Sequence, residues 1–275
     1  MSNWKNIFGI CKKRKRKPLN AKLEVKHKKN TFIKIPFRGS GFSYRKNYWI
    51  SPVVFIVLIV LWHLGSTLGF ISKLVLPNPT EVVIAFHDLY VTGDLYLHVG
   101  ASLKRLILGW TLGSILGIII GFAIGLFSLV RAGLAPIVAA IFPIPKIALL
   151  PLFIIWFGIG ELSKVNLILF GTLFPTIIAT YGAIDNVDRS LIRMGQSFNL
   201  TWFSITRKIV FPASLPVILS NMRITAAIAI ILIVAAELIA AEKGIGAYIQ
   251  MAGSLFAIDR LLAGIIILSC MGLIA

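Results

Sequence analysis

The chain has 275 residues, 57% of them hydrophobic and 14% charged, and its formal net charge is +18. A soluble domain of this length cannot bury so much apolar surface, and the apolar residues occur in continuous runs instead of the short alternating segments of a β-barrel. Composition therefore excludes a soluble globular domain. It predicts an all-α, polytopic membrane protein whose spans are runs of about 20 apolar residues.

The first 46 residues form a strongly basic tail. They hold 15 of the 28 Lys and Arg residues and one acid, Glu24. The positive-inside rule predicts that this tail is cytoplasmic and that residues 47–275 form the transmembrane domain. The run KKRKRK is compatible with nucleic acid or with anionic lipid. The aromatic residues between the tail charges favour an anchor that touches lipid headgroups, without a nucleic-acid partner.

Six apolar runs predict six transmembrane helices. Their approximate bounds are 49–68, 101–127, 134–157, 163–184, 213–240 and 261–275. With the N-terminus inside, residues 128–133 and 185–212 both face the cytoplasm. Between the first two runs, Pro77 and Pro79 precede a short external helix that is expected to start near Thr80. The last run is short for a crossing of about 20 residues, so the natural chain is expected to continue beyond Ala275.

Glycines recur at every fourth position of the second run, at residues 109, 113, 117, 121 and 125. On a helix they lie on nearly one face, which predicts close contact with a neighbouring helix. The chain contains no G-x-x-x-x-G-K-[ST] phosphate loop, and its four histidines have no metal-ligand spacing. We therefore expect no cofactor, no metal and no ATP hydrolysis in this chain.

The third run contains FPIPKIALLP, in which Pro143 and Pro145 flank one residue and precede Lys146. Each proline removes a backbone donor, so this helix is expected to bend or break. A broken helix at membrane depth lines protein or a water-filled cavity, which indicates a translocation pathway; a kinked packing helix is the alternative.

Ionisable residues inside spans need partners. Glu237 and Arg223 are too far apart on one helix to pair, at roughly 1.5 Å per residue. Lys146 has two interpretations: it attracts a substrate anion, or it pairs with Glu237. Arg223 is expected to contact carbonyls or headgroups, and Lys104 and Arg105 are expected to reach the outer interface.

The polar segment 185–212 between the fourth and fifth runs, which we call the coupling segment, has an apolar helical stripe. The stripe consists of Leu191, Met194, Phe198, Trp202, Ile205 and Ile209. Asn199 tolerates positive φ and predicts a turn between two short helices. An amphipathic helix pair of this kind requires the membrane surface or the groove of another protein.

The coupling segment resembles the cytoplasmic EAA loop of ABC-transporter permeases, whose core is E-A-A, three residues, G, nine residues and I-x-x-P. The same spacing is occupied here by Arg193, Met194, Gly195, Asn199, Ile209 and Pro212. Arg replaces the Glu, Met and Gly replace the two Ala, and Asn replaces the Gly. The resemblance implies that these residues, with Ser197, contact an ATPase.

From about Leu76 onward, the chain is similar to importer permeases for taurine, aliphatic sulfonates, nitrate and bicarbonate. The similarity lies in LPNPTEVV, FPASLPVILSNMRI and VAAELIAAEKGIG, the last of which is most like the taurine members. Lys146 departs from the proline usual in the family. The resemblance implies a type I ABC importer fold in a bacterial inner membrane. It also implies two permease copies, two ATPase subunits that bind ATP, and an external substrate-binding protein.

Two other classes remain open from the residues alone. A self-contained secondary carrier or channel for small anions also has broken helices, although carriers often contain repeats that this chain lacks. A membrane-embedded enzyme requires a catalytic constellation, and the sequence has no such pattern.

Overall fold

The computed structural model describes residues 49–70, 72 and 75–274. The described residues from 52 onward form one compact unit. The predicted tail, 1–46, lies outside the described residues. The helices are α1 (Ile50–Thr67), α2 (Pro79–Val91), α3 (Asp94–Leu126), α4 (Ser128–Ile141), α5 (Leu150–Phe157), α6 (Glu161–Asp185), α7 (Arg189–Ser197), α8 (Trp202–Ile205), α9 (Phe211–Ala240), α10 (Ile245–Ser254) and α11 (Ile258–Ile274). A 3-10 turn, Lys146–Leu149, precedes α5, and a π-helical stretch, Thr206–Val210, precedes α9.

Four stretches of the described chain are long and apolar enough to cross a membrane: 50–67, 94–126, 161–185 and 202–240. They coincide with the first, second, fourth and fifth predicted runs. The third predicted run is α4 followed by the 3-10 turn and α5, a pair bent by 90°. Counted together, this pair is a fifth span. The 17-residue helix α11 lies at the sixth predicted run.

The short helix between the first two runs is confirmed as α2. It begins at Pro79, one residue before the predicted start at Thr80. A proline suits this position because the first helical residues have no intrahelical partner for their N–H. The backbone N–H of Asn78 donates to the Glu81 carboxylate at 3.1 Å, which satisfies a donor at the helix start.

The bundle is built on α3 and α6, which run parallel and in close contact. The five α3 glycines face α6, as their spacing predicted. A Cβ at Gly109 would lie 2.6 Å from Ile168 Cβ, and one at Gly117 would lie 2.7 Å from Thr176 Cβ. The other three approach Thr172, Thr180 and Ile184 in the same register. We call this contact the glycine seam.

Helix α9 packs against both α3 and α6. Buried residues of the three helices meet in one apolar cluster, which contains Leu106, Ile168, Ala229, Leu232 and Ile233. Because α9 follows the coupling segment directly, this core joins the coupling segment to the rest of the bundle.

Candidate functional site

The coupling segment lies at one end of the bundle, which we call the coupling end. It starts with α7, whose N-cap Asp188 accepts a hydrogen bond from the backbone N–H of Ser190 at 2.8 Å. This bond holds the pKa of the Asp188 carboxyl below its ordinary value. The cap therefore stays ionised at neutral pH, and its negative charge favours the start of the helix.

The turn predicted at Asn199 is confirmed. Asn199 has a φ of 56°, in the left-handed region where Asn is among the most tolerated residues after Gly. The N–H of Leu200 donates to the carbonyl of Gly195 at 3.1 Å, which closes α7. Thr201 then caps the next helix, because its hydroxyl accepts from the N–H of Ser204. Asn199 is therefore the pivot between α7 and α8.

Gly195 is buried at the inner face of the coupling segment. A Cβ there would lie 2.8 Å from Ile209 Cδ1 and 3.3 Å from Ile205 Cγ1. A glycine allows α7 to lie directly on the helix that follows the turn. Ile209 is thus a packing partner of α7, and its contacts close the helix pair.

The predicted apolar stripe is not one continuous face. Ile205 is buried and Ile209 half-buried, packed with Ile184, Val187 and Val210. The other four stripe residues are exposed, because the turn at Asn199 divides the stripe between an inner and an outer surface. The outer surface also includes Phe203. We call it the exposed apolar face; its members are Leu191, Met194, Phe198, Trp202 and Phe203.

Charged side chains surround this face. Arg193, Arg207 and Lys208 are exposed, as are Ser197 and Pro212. The Ser197 hydroxyl donates to the carbonyl of Met194 at 2.8 Å. An apolar centre with a basic margin is suited to an apolar groove that has an acidic rim.

The connection between α3 and α4 is the single residue Phe127, so the predicted loop 128–133 is the start of α4, which lies at the coupling end too. Arg131 donates two hydrogen bonds to Asp185, at 2.7 and 2.6 Å, in a bidentate pair. This direct contact agrees with the prediction that residues 128–133 and 185–212 lie on the same side of the membrane.

The proline-rich break is a true interruption, since α4 and α5 are separated by a 90° bend. Pro143 and Pro145 are exposed within it, and Lys146 opens the 3-10 turn. Lys146 Nζ donates to the carbonyls of Ile141, at 3.2 Å, and of Phe142. Its ammonium also lies 5.7 Å from the centre of the Phe174 ring. Carbonyls freed by the break thus hold the charge.

The end opposite the coupling segment carries a buried ionic network centred on Glu237, which is 1% exposed. Arg105 donates to Glu237 at 2.7 Å and, through its other edge, makes two 2.6 Å bonds to Glu161. Ser102 Oγ lies 2.8 Å from the Glu237 carboxylate, and the N–H of Gly246 donates to it at 2.9 Å. The network joins α3, α6, α9 and the start of α10.

One of the two interpretations of Lys146 is excluded here, and the expectation for Arg105 is wrong. Glu237 does not pair with Lys146: in the described chain its carboxylate is bonded to Ser102, Arg105 and Gly246, and Lys146 is bonded to carbonyls. Arg105 does not reach the interface. It is 4% exposed, because α3 begins about two turns before the predicted run and draws Arg105 into the bundle. Glu237 is enclosed by its partners, and its assignment to a pathway stays a prediction.

A bundle of apolar helices, one broken span and an amphipathic helix pair between two spans are typical of a membrane transport subunit. The chain belongs to the family described as "Binding-protein-dependent transport system inner membrane component", which matches residues 113–275.

Two relatives are similar over most of their length. A Bacillus subtilis protein named as a putative aliphatic sulfonates transport permease, SsuC, is 35% identical over 230 residues, 83% of this chain and 83% of that protein. The Escherichia coli taurine transport permease TauC is 37% identical over 218 residues, 78% and 79% of the two chains. A chain of the inward-facing MetNI methionine ABC transporter has the same fold, with a TM-score of 0.57 and 19% identity over 64% of this chain and 88% of that chain.

Proposed function

We propose that this chain is the permease subunit of an ABC importer that moves taurine, another aliphatic sulfonate or a similar small anion, such as nitrate or bicarbonate, into the cytoplasm. The observation that carries the proposal is the similarity to the sulfonate and taurine permeases over about four-fifths of the chain. A cation at the break between α4 and α5 supports an anionic substrate, since a positive wall draws anions into a pathway.

The partners of the permease follow from its surfaces. The exposed apolar face would dock into a groove of a separate ATPase subunit, which binds the ATP. A second permease copy would complete the pathway, a substrate-binding protein would deliver the anion on the other side, and lipid would cover the outer faces of the spans. The coupling end then faces the cytoplasm, together with the basic tail, in a bacterial inner membrane.

Cross-linking tests the ATPase contact. The native Cys11 and Cys270 are first replaced by Ser, and Ser197→Cys is introduced beside the exposed apolar face. We expect a disulfide or maleimide cross-link to the co-expressed ATPase, whereas Ser254→Cys, in α10 and away from the coupling segment, should give none. Intact transport without a cross-link from residue 197 would refute the assignment, and uptake in the absence of any ATPase would favour a secondary carrier.

The turn at Asn199 gives a second prediction. Asn199→Gly should leave substrate-stimulated ATP hydrolysis unchanged, because Gly adopts positive φ freely. Asn199→Val should reduce it strongly, since a β-branched residue at positive φ costs about 1–3 kcal/mol and shifts α7. Equal hydrolysis rates of the two variants would show that the turn does not transmit the coupling.

The cation of Lys146 gives a third prediction. Lys146→Met should slow sulfonate uptake in reconstituted vesicles while co-purification with the ATPase stays unchanged, because the ammonium would attract the anion and lies far from the coupling segment. Lys208→Met, which removes an exposed cation at the coupling end, is the matched control for net charge and should leave the affinity for the anion unaltered. Unchanged uptake by Lys146→Met would remove this residue from the pathway.

A further inference from the structure

The glycine seam ends in two buried cations. At each level of the seam an α3 residue faces an α6 residue in constant register, as in the pairs Gly109 with Ile168 and Gly125 with Ile184. One turn further from the coupling end, the same register pairs Arg105 with Lys164. Both are buried, at 4% and 3% exposed. Two like charges at one level repel each other unless anions lie between or beside them.

The two cations differ in their partners. The Arg105 guanidinium is held by two carboxylates, those of Glu161 and Glu237. The Lys164 ammonium makes one hydrogen bond in the described chain, to the carbonyl of Gly160 at 3.0 Å. An ammonium has three donors, and a buried one is costly without an anionic partner. The carboxylates of Glu161, Glu237 and Glu242 attract Lys164, but none in the described chain forms an ion pair with it within 4.0 Å, and two of its donors have no protein acceptor there.

Both cations line the same cavity. It has a volume of about 340 Å³, lies at the end opposite the coupling segment and is open on one side. Its charged lining residues are Arg105, Lys164, Lys243, Glu161 and Glu242. Three of these residues are cationic and two are anionic. The space suits a small polar ligand.

The Arg105–Glu161 pair shows that the guanidinium at this cavity binds an anionic group with two oxygens. Glu161 presents two carboxylate oxygens to Arg105 Nε and Nη2, both at 2.6 Å. The Glu161 side chain is 60% exposed and lies at the mouth of the cavity. In the described chain, its only ion pair within 4.0 Å is the one with Arg105. A sulfonate offers oxygens to the same fork and a further oxygen to an ammonium.

We infer that this cavity is a binding site for the sulfonate group of a small organic sulfonate, which displaces Glu161 from Arg105 and takes the free donors of Lys164. The inference rests on the proposed function. It adds a binding site for the anion at the end of the bundle opposite the coupling segment. Glu237 stays in the network behind Arg105 and keeps the guanidinium in position.

Direct binding tests the site. The full-length chain is purified in detergent, and its thermal unfolding is followed while sodium ethanesulfonate is titrated against sodium chloride of equal ionic strength. We expect ethanesulfonate to raise the Tm of the wild type in a saturable way. Lys164→Met should weaken this binding by about tenfold or more, because one buried charge partner of the anion is lost.

Two further variants separate a specific site from general charge attraction. Glu161→Gln should bind ethanesulfonate more tightly, because the competing carboxylate is removed at an exposed position that leaves the core intact. Lys104→Met removes an exposed cation next to Arg105 that does not line the cavity, and it should bind as the wild type does. Equal weakening by Lys104→Met and Lys164→Met, or no stabilisation of the wild type, would overturn the inference.

Uptake of labelled taurine by the wild type, reconstituted with the ATPase and binding protein, tests the proposed function separately. Absence of uptake in spite of ethanesulfonate binding would contradict the proposed function and not the binding site. Uptake by the wild type together with unaltered ethanesulfonate binding by Lys164→Met and Glu161→Gln would contradict the site and leave the function standing.

Discussion

Gly117→Leu should prevent the bundle from assembling. At this level of the glycine seam, a Cβ would lie 2.7 Å from Thr176 Cβ and 2.9 Å from the carbonyl oxygen of Leu173. Carbon atoms pack at about 3.5–4.0 Å, so α3 and α6 would have to separate. The backbone cannot yield locally, because the same approach recurs at four other glycines. We expect almost no monodisperse protein in size-exclusion chromatography of a fluorescent fusion.

Gly100→Leu is the matched control in the same helix. Nothing lies within 4 Å of a Cβ at Gly100, and the residue is exposed. Leucine favours the helix over glycine by up to about 1 kcal/mol, so this variant should be as abundant as the wild type. Comparable loss of both variants would mean that helix propensity or insertion, and not contact with α6, determines the effect at residue 117.

Arg105→Met should lower the free energy of unfolding by about 3–5 kcal/mol, the cost typical of removing one partner from a buried pair. The change leaves the Glu237 carboxylate, 1% exposed, without a cation in the network. It also removes the bond to the Lys243 carbonyl that holds the turn between α9 and α10. Thermal unfolding in detergent measures the effect as a lower Tm.

Two further variants serve as comparisons for the Tm of Arg105→Met. Arg131→Met breaks the exposed pair with Asp185, in which the side chains are 45% and 37% exposed, and should change the Tm little. The double variant Arg105→Met, Glu237→Met should be more stable than Arg105→Met alone, because the Glu237 carboxylate is no longer buried without its cation. If all three variants melted together, the network would have no special role in stability.

The sequence was sufficient where local geometry determines the structure. Glycines at every fourth position give a helix one face that a neighbouring helix can approach closely. Pro143 and Pro145 remove two backbone donors from one turn of the helix. Asn199 tolerates positive φ because of its own side chain. These features depend on periodicity or on backbone chemistry within a few residues. The seam, the break and the turn were therefore predicted correctly.

The ionic network was not predicted, because its members are far apart in the chain. Arg105 meets Glu161 and Glu237 across 56 and 132 positions, and no local pattern joins them. One signal was present: extending the glycine spacing by one turn reaches Arg105, which therefore belongs to the buried face. The turn at Asn199 was predicted, but the division of the apolar stripe was not, since a helical period does not show which half of a stripe packs inward.

The helix α8, the π-helical stretch and α9 follow one another without a gap over residues 202–240, a length of about 58 Å at 1.5 Å per residue. One end carries Trp202 and Phe203 of the exposed apolar face, which we propose docks to the ATPase, and the other end carries Glu237. The π-helical stretch near the first end has wider hydrogen-bonded turns than the rest of this helix. Trp202 on the exposed apolar face and Glu237, which binds Arg105, therefore lie on one continuous stretch of helix.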